Sequence, residues 1–368
     1  MSTNNRPHPS DTIKVLLPQL PAAAAVAPYL ERIDATRTYS NYGPLSREFS
    51  QRLSALVGGS GTTLTSNGTS AIELALRLRC RSKAGVCLMP AFTFIASAHA
   101  VCNAGLTPYL LEADPATLTL TPQIAEDALR SIKEPIAAVL VVSAFGAPPD
   151  LVSWAAFEAR HGIPVVFDAA AAVTSLSSVG AQPVCVSLHA TKVLGIGEGG
   201  AIFSSDERFI EEATAMTGFG FLGAGERVST LRAGNYRISE YAAAVGLAVM
   251  DGLAQHIQAL RDLTAAYERR LRGKSAQLQD GVGRDWVTMT LNVVVPYDQV
   301  DATLARLDAA QIQWRRWWGL GCHRHPAFAD VPRADLRGTD ELAPRVIGLP
   351  FHTDLSEADL DRIADCLT

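Results

Sequence analysis

Ser187-Leu-His-Ala-Thr-Lys192, with Gly195-Ile-Gly-Glu-Gly-Gly200 just beyond it, is the stretch on which the reading of this chain turns. The lysine follows one apolar run, Val184 to Leu188, and a second, Ala201 to Ser204, comes after the glycines. Most lysines are solvated surface charges, whereas this one sits between two segments that read as buried strands. In an apolar cleft an amine loses affinity for its proton and can form a Schiff base with an aldehyde. The glycines also match the dinucleotide fingerprint at Gly195, Gly197 and Gly200. That fingerprint opens a helix, and here the next segment reads as a strand, so it is a weak sign of a nicotinamide cofactor.

Outward from this stretch, short apolar runs alternate with helix-period segments. Val86 to Met89, Thr107 to Leu111, Ala137 to Val142 and Pro164 to Phe167 are apolar almost throughout, as suits strands buried on both faces of a parallel sheet. Ser70 to Arg81 repeats apolar residues at helical spacing. This alternation predicts an α/β fold with a mostly parallel sheet flanked by helices, over a large domain at 13–251. After Asp251 the pattern changes. A charged helical stretch from Leu253 to Arg272, strands within Trp286 to Pro296, and helices near Asp298 to Ala310 and Ser356 to Leu367 predict a smaller α+β domain at 252–368. The first dozen residues, rich in Asn, Pro and Ser, read as a mobile tail.

Composition narrows the partners. The 368 residues are 48% hydrophobic and 19% charged with a net charge of -5, so there is no basic footprint for nucleic acid or an anionic membrane. Val15 to Leu30 carries no charge, but three prolines interrupt it and it is shorter than the ~20 residues that span a bilayer. Six scattered cysteines do not form a disulfide framework. A soluble, cytoplasmic protein acting on small molecules is the expectation.

Three further segments carry residue types suited to a phosphorylated aromatic aldehyde. Thr65-Ser-Asn-Gly68-Thr69-Ser70 opens a helix. It is either a simple cap or a set of free N–H and hydroxyl groups for a phosphate at the positive end of the helix dipole. Asp168 ends a strand, where α/β proteins bind ligands; it either caps the next segment or pairs with a cationic ring nitrogen. Pro90-Ala-Phe-Thr-Phe94 follows another strand, and Phe92 or Phe94 is either core or a wall against a flat ring.

Together with Gly234-Asn-Tyr-Arg-Ile-Ser239, these motifs resemble, in order and spacing, the DegT/DnrJ/EryC1/StrS family of sugar-nucleotide aminotransferases. The resemblance runs from Tyr39-Ser-Asn-Tyr42-Gly-Pro44 to Leu349-Pro-Phe-His352. It implies a fold-type-I, aspartate aminotransferase-like homodimer that binds pyridoxal 5'-phosphate in sites shared between subunits. It also implies that Lys192 holds the cofactor covalently and shuttles a proton, and that Gly68, Thr69, Ser70 and Ser187 surround the phosphate. Phe94 would stack on the ring, Asp168 would pair with its nitrogen, and Asn235 would reach the phosphate in the neighbouring subunit. Tyr42, His189, Arg316 and Trp317 are the candidate substrate contacts. The implied reaction passes an amino group, with glutamate as donor, to a nucleotide-linked keto sugar such as a dTDP-4-keto-6-deoxyhexose, in deoxyamino-sugar biosynthesis for a polysaccharide or antibiotic.

This sequence departs from the family at two positions. Ala171 stands where the family usually has a glutamine against the ring hydroxyl, and Ser143 stands where a histidine usually follows the strand. A sugar dehydratase, which in the family goes with histidine in place of the lysine, is disfavoured by Lys192. A non-catalytic protein of the same fold that only binds or regulates is the other alternative, kept by Ala171. Cys322-His-Arg-His325 has metal-ligand residue types but no second cluster to complete a site, so no metal is expected. Arg315-Arg-Trp-Trp318 fits either a diphosphate sugar or a domain interface.

Overall fold

The computed structural model describes residues 12–82, 84–222 and 227–368; the expected N-terminal tail, residues 1–11, lies outside them. The apolar runs become the strands of a central sheet. These are β1 (Gly61–Thr65), β2 (Val86–Pro90), β3 (Thr107–Leu111), β4 (Ile136–Val142), β5 (Val165–Asp168), β6 (Val184–Ser187) and β7 (Gly200–Ser204). Their spatial order is β1-β7-β6-β5-β4-β2-β3. All pairings from β6 through β3 are parallel, while β7 runs antiparallel to both of its neighbours.

The runs read as continuously apolar because both faces of the sheet are covered. Leu140, Val166, Cys185 and Ile202 pack on one side with Leu74 and Ala75 of the helix Gly68–Arg79, Ala98 and Val101 of Ile95–Asn103, and Phe209 and Ala213 of Glu207–Thr217. Val139, Val141, Val165, Phe167 and Val186 pack on the other side with Phe49 and Leu53 of Pro44–Leu56, Trp154 and Phe157 of Leu151–His161, and Ala243 and Leu247. Parallel pairing brings the ends of β2, β4, β5 and β6 to one edge. The residues at or just past those ends, Pro90 to Phe94, Ser143, Asp168 and Ser187, therefore become neighbours. That edge is where open α/β sheets bind ligands.

A three-stranded antiparallel sheet, β8 (Gln277–Leu278), β9 (Asn292–Val294) and β10 (Val346–Gly348), forms the smaller α+β unit with the helices Val300–Ala309 and Glu357–Asp365. Two features bear on the division expected at 251/252. A single 32-residue helix, Glu240–Leu271, crosses that point, started by Ser239, whose side chain accepts from Ala242 N–H. Its first half belongs with the large unit: Glu240 takes the N–H groups of Leu45 and Ser46, and Gly246 lies against the Phe49 ring. Its last turns belong with the small one, because Tyr267 donates to Pro350 O and Arg270 pairs with Glu357 and Asp361. Residues 13–15 also join the small unit, since Ile13 pairs with Ile312 and the Phe351 N–H reaches Val15 O at 3.1 Å. The strands expected within Trp286 to Pro296 shrink to Asn292–Val294. Thr288 Oγ1 lies within reach of both the Thr290 carbonyl and the Phe145 carbonyl, a local turn in place of a ladder. No helix among the described residues is long and apolar enough to cross a membrane.

Candidate active site

Lys192 lies in the loop between β6 and β7. The residue is half-buried. Burial lowers its proton affinity to about 8, partly offset by the charge of Asp168. About half of this amine is therefore neutral, and nucleophilic, near pH 8. Asp168, 5% exposed, is held at both oxygens: Oδ2 accepts from Ser97 Oγ at 2.6 Å and Oδ1 from the Ala170 N–H at 3.1 Å. Burial pushes its carboxyl up, while those bonds and the Lys192 charge pull it down. Ser97 carried no signal in the sequence, because a serine in an alanine-rich helix is unremarkable until a carboxylate is found beside it.

Asn67 caps the helix Gly68–Arg79, its side chain accepting from Ser70 N–H at 2.8 Å. The start of that helix is pressed onto β6: a Cβ added at Gly68 would lie 2.8 Å from Ser187 Cβ and 3.1 Å from its Cα. Gly200, the first residue of β7, is equally tight, with a Cβ there 2.6 Å from the Asn67 carbonyl. Glycine at both positions lets the helix start pack directly on Ser187 of β6 and the Asn67 carbonyl pack on β7. Phe94, the residue before the helix Ile95–Asn103, is 54% exposed, whereas Phe92 is core, with its ring edge against Phe145 and Trp318.

The remaining candidates fall into two groups. Trp318 stacks on Phe145 at 4.0 Å, and Cys322 N–H reaches Ala91 O at 2.7 Å, so the Arg315-Arg-Trp-Trp segment crosses the ends of β2 and β4. There Trp317 packs on Gly348, and half-buried Arg316 donates to Pro344 O at 3.3 Å. His189 turns back on its own loop, with Nδ1 2.9 Å from Thr191 Oγ1. Tyr42 lies elsewhere: its hydroxyl bonds Thr217, and it lines a cavity of about 900 Å³ with Thr214, Phe219 and Arg237. Asn235 is exposed, its Oδ1 taken by Arg237 Nε and Nη2 at 3.1 and 3.0 Å. Its segment is fixed to the helix start through Ser66 N–H and Tyr236 O at 2.5 Å, yet its amide contacts neither Lys192 nor Ser187. Of the two departures, Ala171 is buried beside Asp168, and Ser143 buries its hydroxyl without a hydrogen-bond partner among the described residues. His323 and Arg324 both engage Asp340.

A buried carboxylate, an amine of lowered proton affinity and a glycine-lined cradle of hydroxyl and N–H groups at one sheet edge suit a phosphorylated pyridine aldehyde. The fold and site define a pyridoxal-phosphate-dependent aminotransferase of fold type I. The chain belongs to the DegT/DnrJ/EryC1/StrS aminotransferase family, whose model matches residues 23–368. Among its relatives is the UDP-2-acetamido-2-deoxy-3-oxo-D-glucuronate aminotransferase of Pseudomonas aeruginosa, 30% identical over 338 residues covering 89% of this chain and 90% of the relative. The dTDP-4-amino-4,6-dideoxy-D-glucose transaminase of Shigella dysenteriae is 26% identical over 367 residues, 96% of this chain and 98% of that protein. The crystal structure of DesI in the presence of its TDP-sugar product superposes with a TM-score of 0.85 at 28% identity, covering 96% of this chain and 91% of that one.

Proposed function

We propose that this enzyme transfers the amino group of glutamate to a nucleotide-linked keto sugar, a dTDP-4-keto-6-deoxyhexose, in cytoplasmic deoxyamino-sugar biosynthesis. The observation that carries the reading is the placement of Lys192, in the loop after β6, near enough to buried Asp168 at the end of the neighbouring β5 for their charges to interact. A lysine there, in place of histidine, favours transamination over dehydration. The sugar-nucleotide acceptor is supported by the two named relatives and by the likeness to DesI.

In this reading Gly68, Thr69, Ser70 and Ser187 hold the cofactor phosphate at the positive end of a helix. Asp168 keeps a proton on the ring nitrogen, and Phe94 covers the ring. Bound there, the cofactor supplies an electron sink for the carbon that gains or loses nitrogen. Lys192 Nζ would anchor it and would be the group that holds the proton exchanged at that carbon. Arg316 and Trp317 line the approach for the sugar nucleotide, with His189 and Tyr42 as further contacts. The active unit is a homodimer in which Asn235 reaches the phosphate of the partner subunit's cofactor. The test incubates the purified protein with pyridoxal phosphate, glutamate and a panel of nucleotide keto sugars, followed by mass spectrometry. A product bearing an amine in place of the keto oxygen is expected; no aminated product from any member overturns the proposal.

A further inference from the structure

The carboxylate of Asp168 is held by more than its own strand. Ser97, in the first turn of the helix Ile95–Asn103, places Oγ 2.6 Å from Asp168 Oδ2, and Thr93 Oγ1 lies 2.9 Å from Ser97 Oγ. An ionised carboxylate only accepts, so the Ser97 proton is committed to Asp168, and Thr93 is left to donate to Ser97. Ser97 and Thr93 are each 1% exposed, which removes water as a competing donor. The turn bearing Thr93 is clamped from the C-terminal part of the chain, because Cys322 N–H reaches Ala91 O at 2.7 Å and Cys322 Sγ lies 3.9 Å from Thr93 O.

We propose that Ser97, backed by Thr93, is a positioning residue that keeps Asp168 ionised and its carboxylate aimed at the ring nitrogen of the cofactor. This rests on the reading of Asp168 given above. Without the hydroxyl, the proton shared between ring nitrogen and carboxylate moves toward the carboxylate, and the ring loses part of its power as an electron sink. Among the influences that oppose burial at Asp168, the Ser97 bond ranks ahead of the Ala170 N–H and the Lys192 charge. The titratable groups facing the carboxylate are Lys192, from the loop after β6, and the Cys185 thiol on β6, which burial and Asp168 together push up. A buried serine that merely fills space would tolerate alanine with no change in either proton.

The test uses the full-length chain with and without cofactor, as wild type, Ser97→Ala, Ser97→Thr and Asp168→Asn. Without cofactor, infrared difference spectra against Asp168→Asn follow the carboxyl titration. Ser97→Ala raises its midpoint by about one unit, the size set by a hydrogen bond to a charged acceptor, and Ser97→Thr restores it. In the holoenzyme carrying 15N-labelled cofactor, the ring-nitrogen resonance of Ser97→Ala moves toward neutral pyridine, while that of Ser97→Thr stays with wild type. A carboxyl midpoint unchanged in Ser97→Ala overturns the proposal. If Asp168→Asn itself leaves the 15N resonance unmoved, the underlying reading of Asp168 fails instead, and the infrared midpoint tells the two failures apart.

Discussion

Gly68→Ala probes the cradle through a single methyl group. The new Cβ would sit 2.8 Å from Ser187 Cβ and 3.1 Å from Ser187 Cα, against the 3.5–4.0 Å of an ordinary carbon contact. The shortfall is roughly 0.5–1 Å, and one of the partners is backbone, so the helix start and β6 must separate by about that distance. Overpacking of this kind costs about 1–3 kcal/mol, offset by up to about 1 kcal/mol from replacing glycine in a helix. The fold therefore survives. The phosphate, however, loses the alignment of at least one charge-assisted hydrogen bond, worth about 1.5–3 kcal/mol, which is a ten- to hundredfold loss of cofactor affinity. Titrating the stripped protein with pyridoxal phosphate, followed by the visible absorbance of the bound form, measures that loss, and a thermal melt without cofactor measures the packing cost. An unchanged affinity would refute the assignment of the Gly68–Ser187 contact as the phosphate cradle.

Three more outcomes are expected. Asp168→Asn retains cofactor but slows half-transamination by glutamate at least about a hundredfold, since an amide cannot hold the ring nitrogen protonated; an unchanged stopped-flow rate would make Asp168 purely structural. Because Lys192 titrates near 8, the rate at which stripped protein captures cofactor should rise about tenfold per pH unit below 8 and level off above it; a rise that continues past pH 10 would mean an unperturbed lysine. Asn235→Ala should weaken cofactor retention about five- to tenfold, the loss of one neutral hydrogen bond. Mixed at limiting cofactor with Lys192→Ala chains, it should give heterodimers with one intact site and about half of wild-type activity, and no recovery would exclude shared sites.

The sheet was legible because its strands are buried on both faces. Thr107 to Leu111 matches β3 residue for residue, and the other long runs fall within a residue of their strands. β1 was not, since Gly-Thr-Thr-Leu-Thr lacks an apolar run and owes its place to pairing with β7. The long helix begins at Glu240, well before the charged stretch that announces it, because Ala243, Ala244 and Leu247 are packed in the core and carry no polar face to mark the period. The attachment of Ile13 to Ile312 joins residues 299 positions apart, which no local pattern encodes. In the candidate site, Lys192 and Asp168 stood out by residue type at strand ends, whereas Ser187 and Gly68 entered through the family resemblance. Ser97 and Thr93 became visible only when the fold brought the helix Ile95–Asn103 against β5.

The account stands most directly on which atom carries the cofactor. The chain has five lysines, Lys14, Lys83, Lys133, Lys192 and Lys274, in well-separated segments, so borohydride reduction of the holoenzyme followed by peptide mapping gives an unambiguous answer. The phosphopyridoxyl group should appear on the peptide containing Lys192 alone, and Lys192→Ala protein, folded by circular dichroism, should show neither the label nor the visible absorbance band nor turnover. A label on any other lysine, or turnover near the wild-type rate in Lys192→Ala, would contradict it.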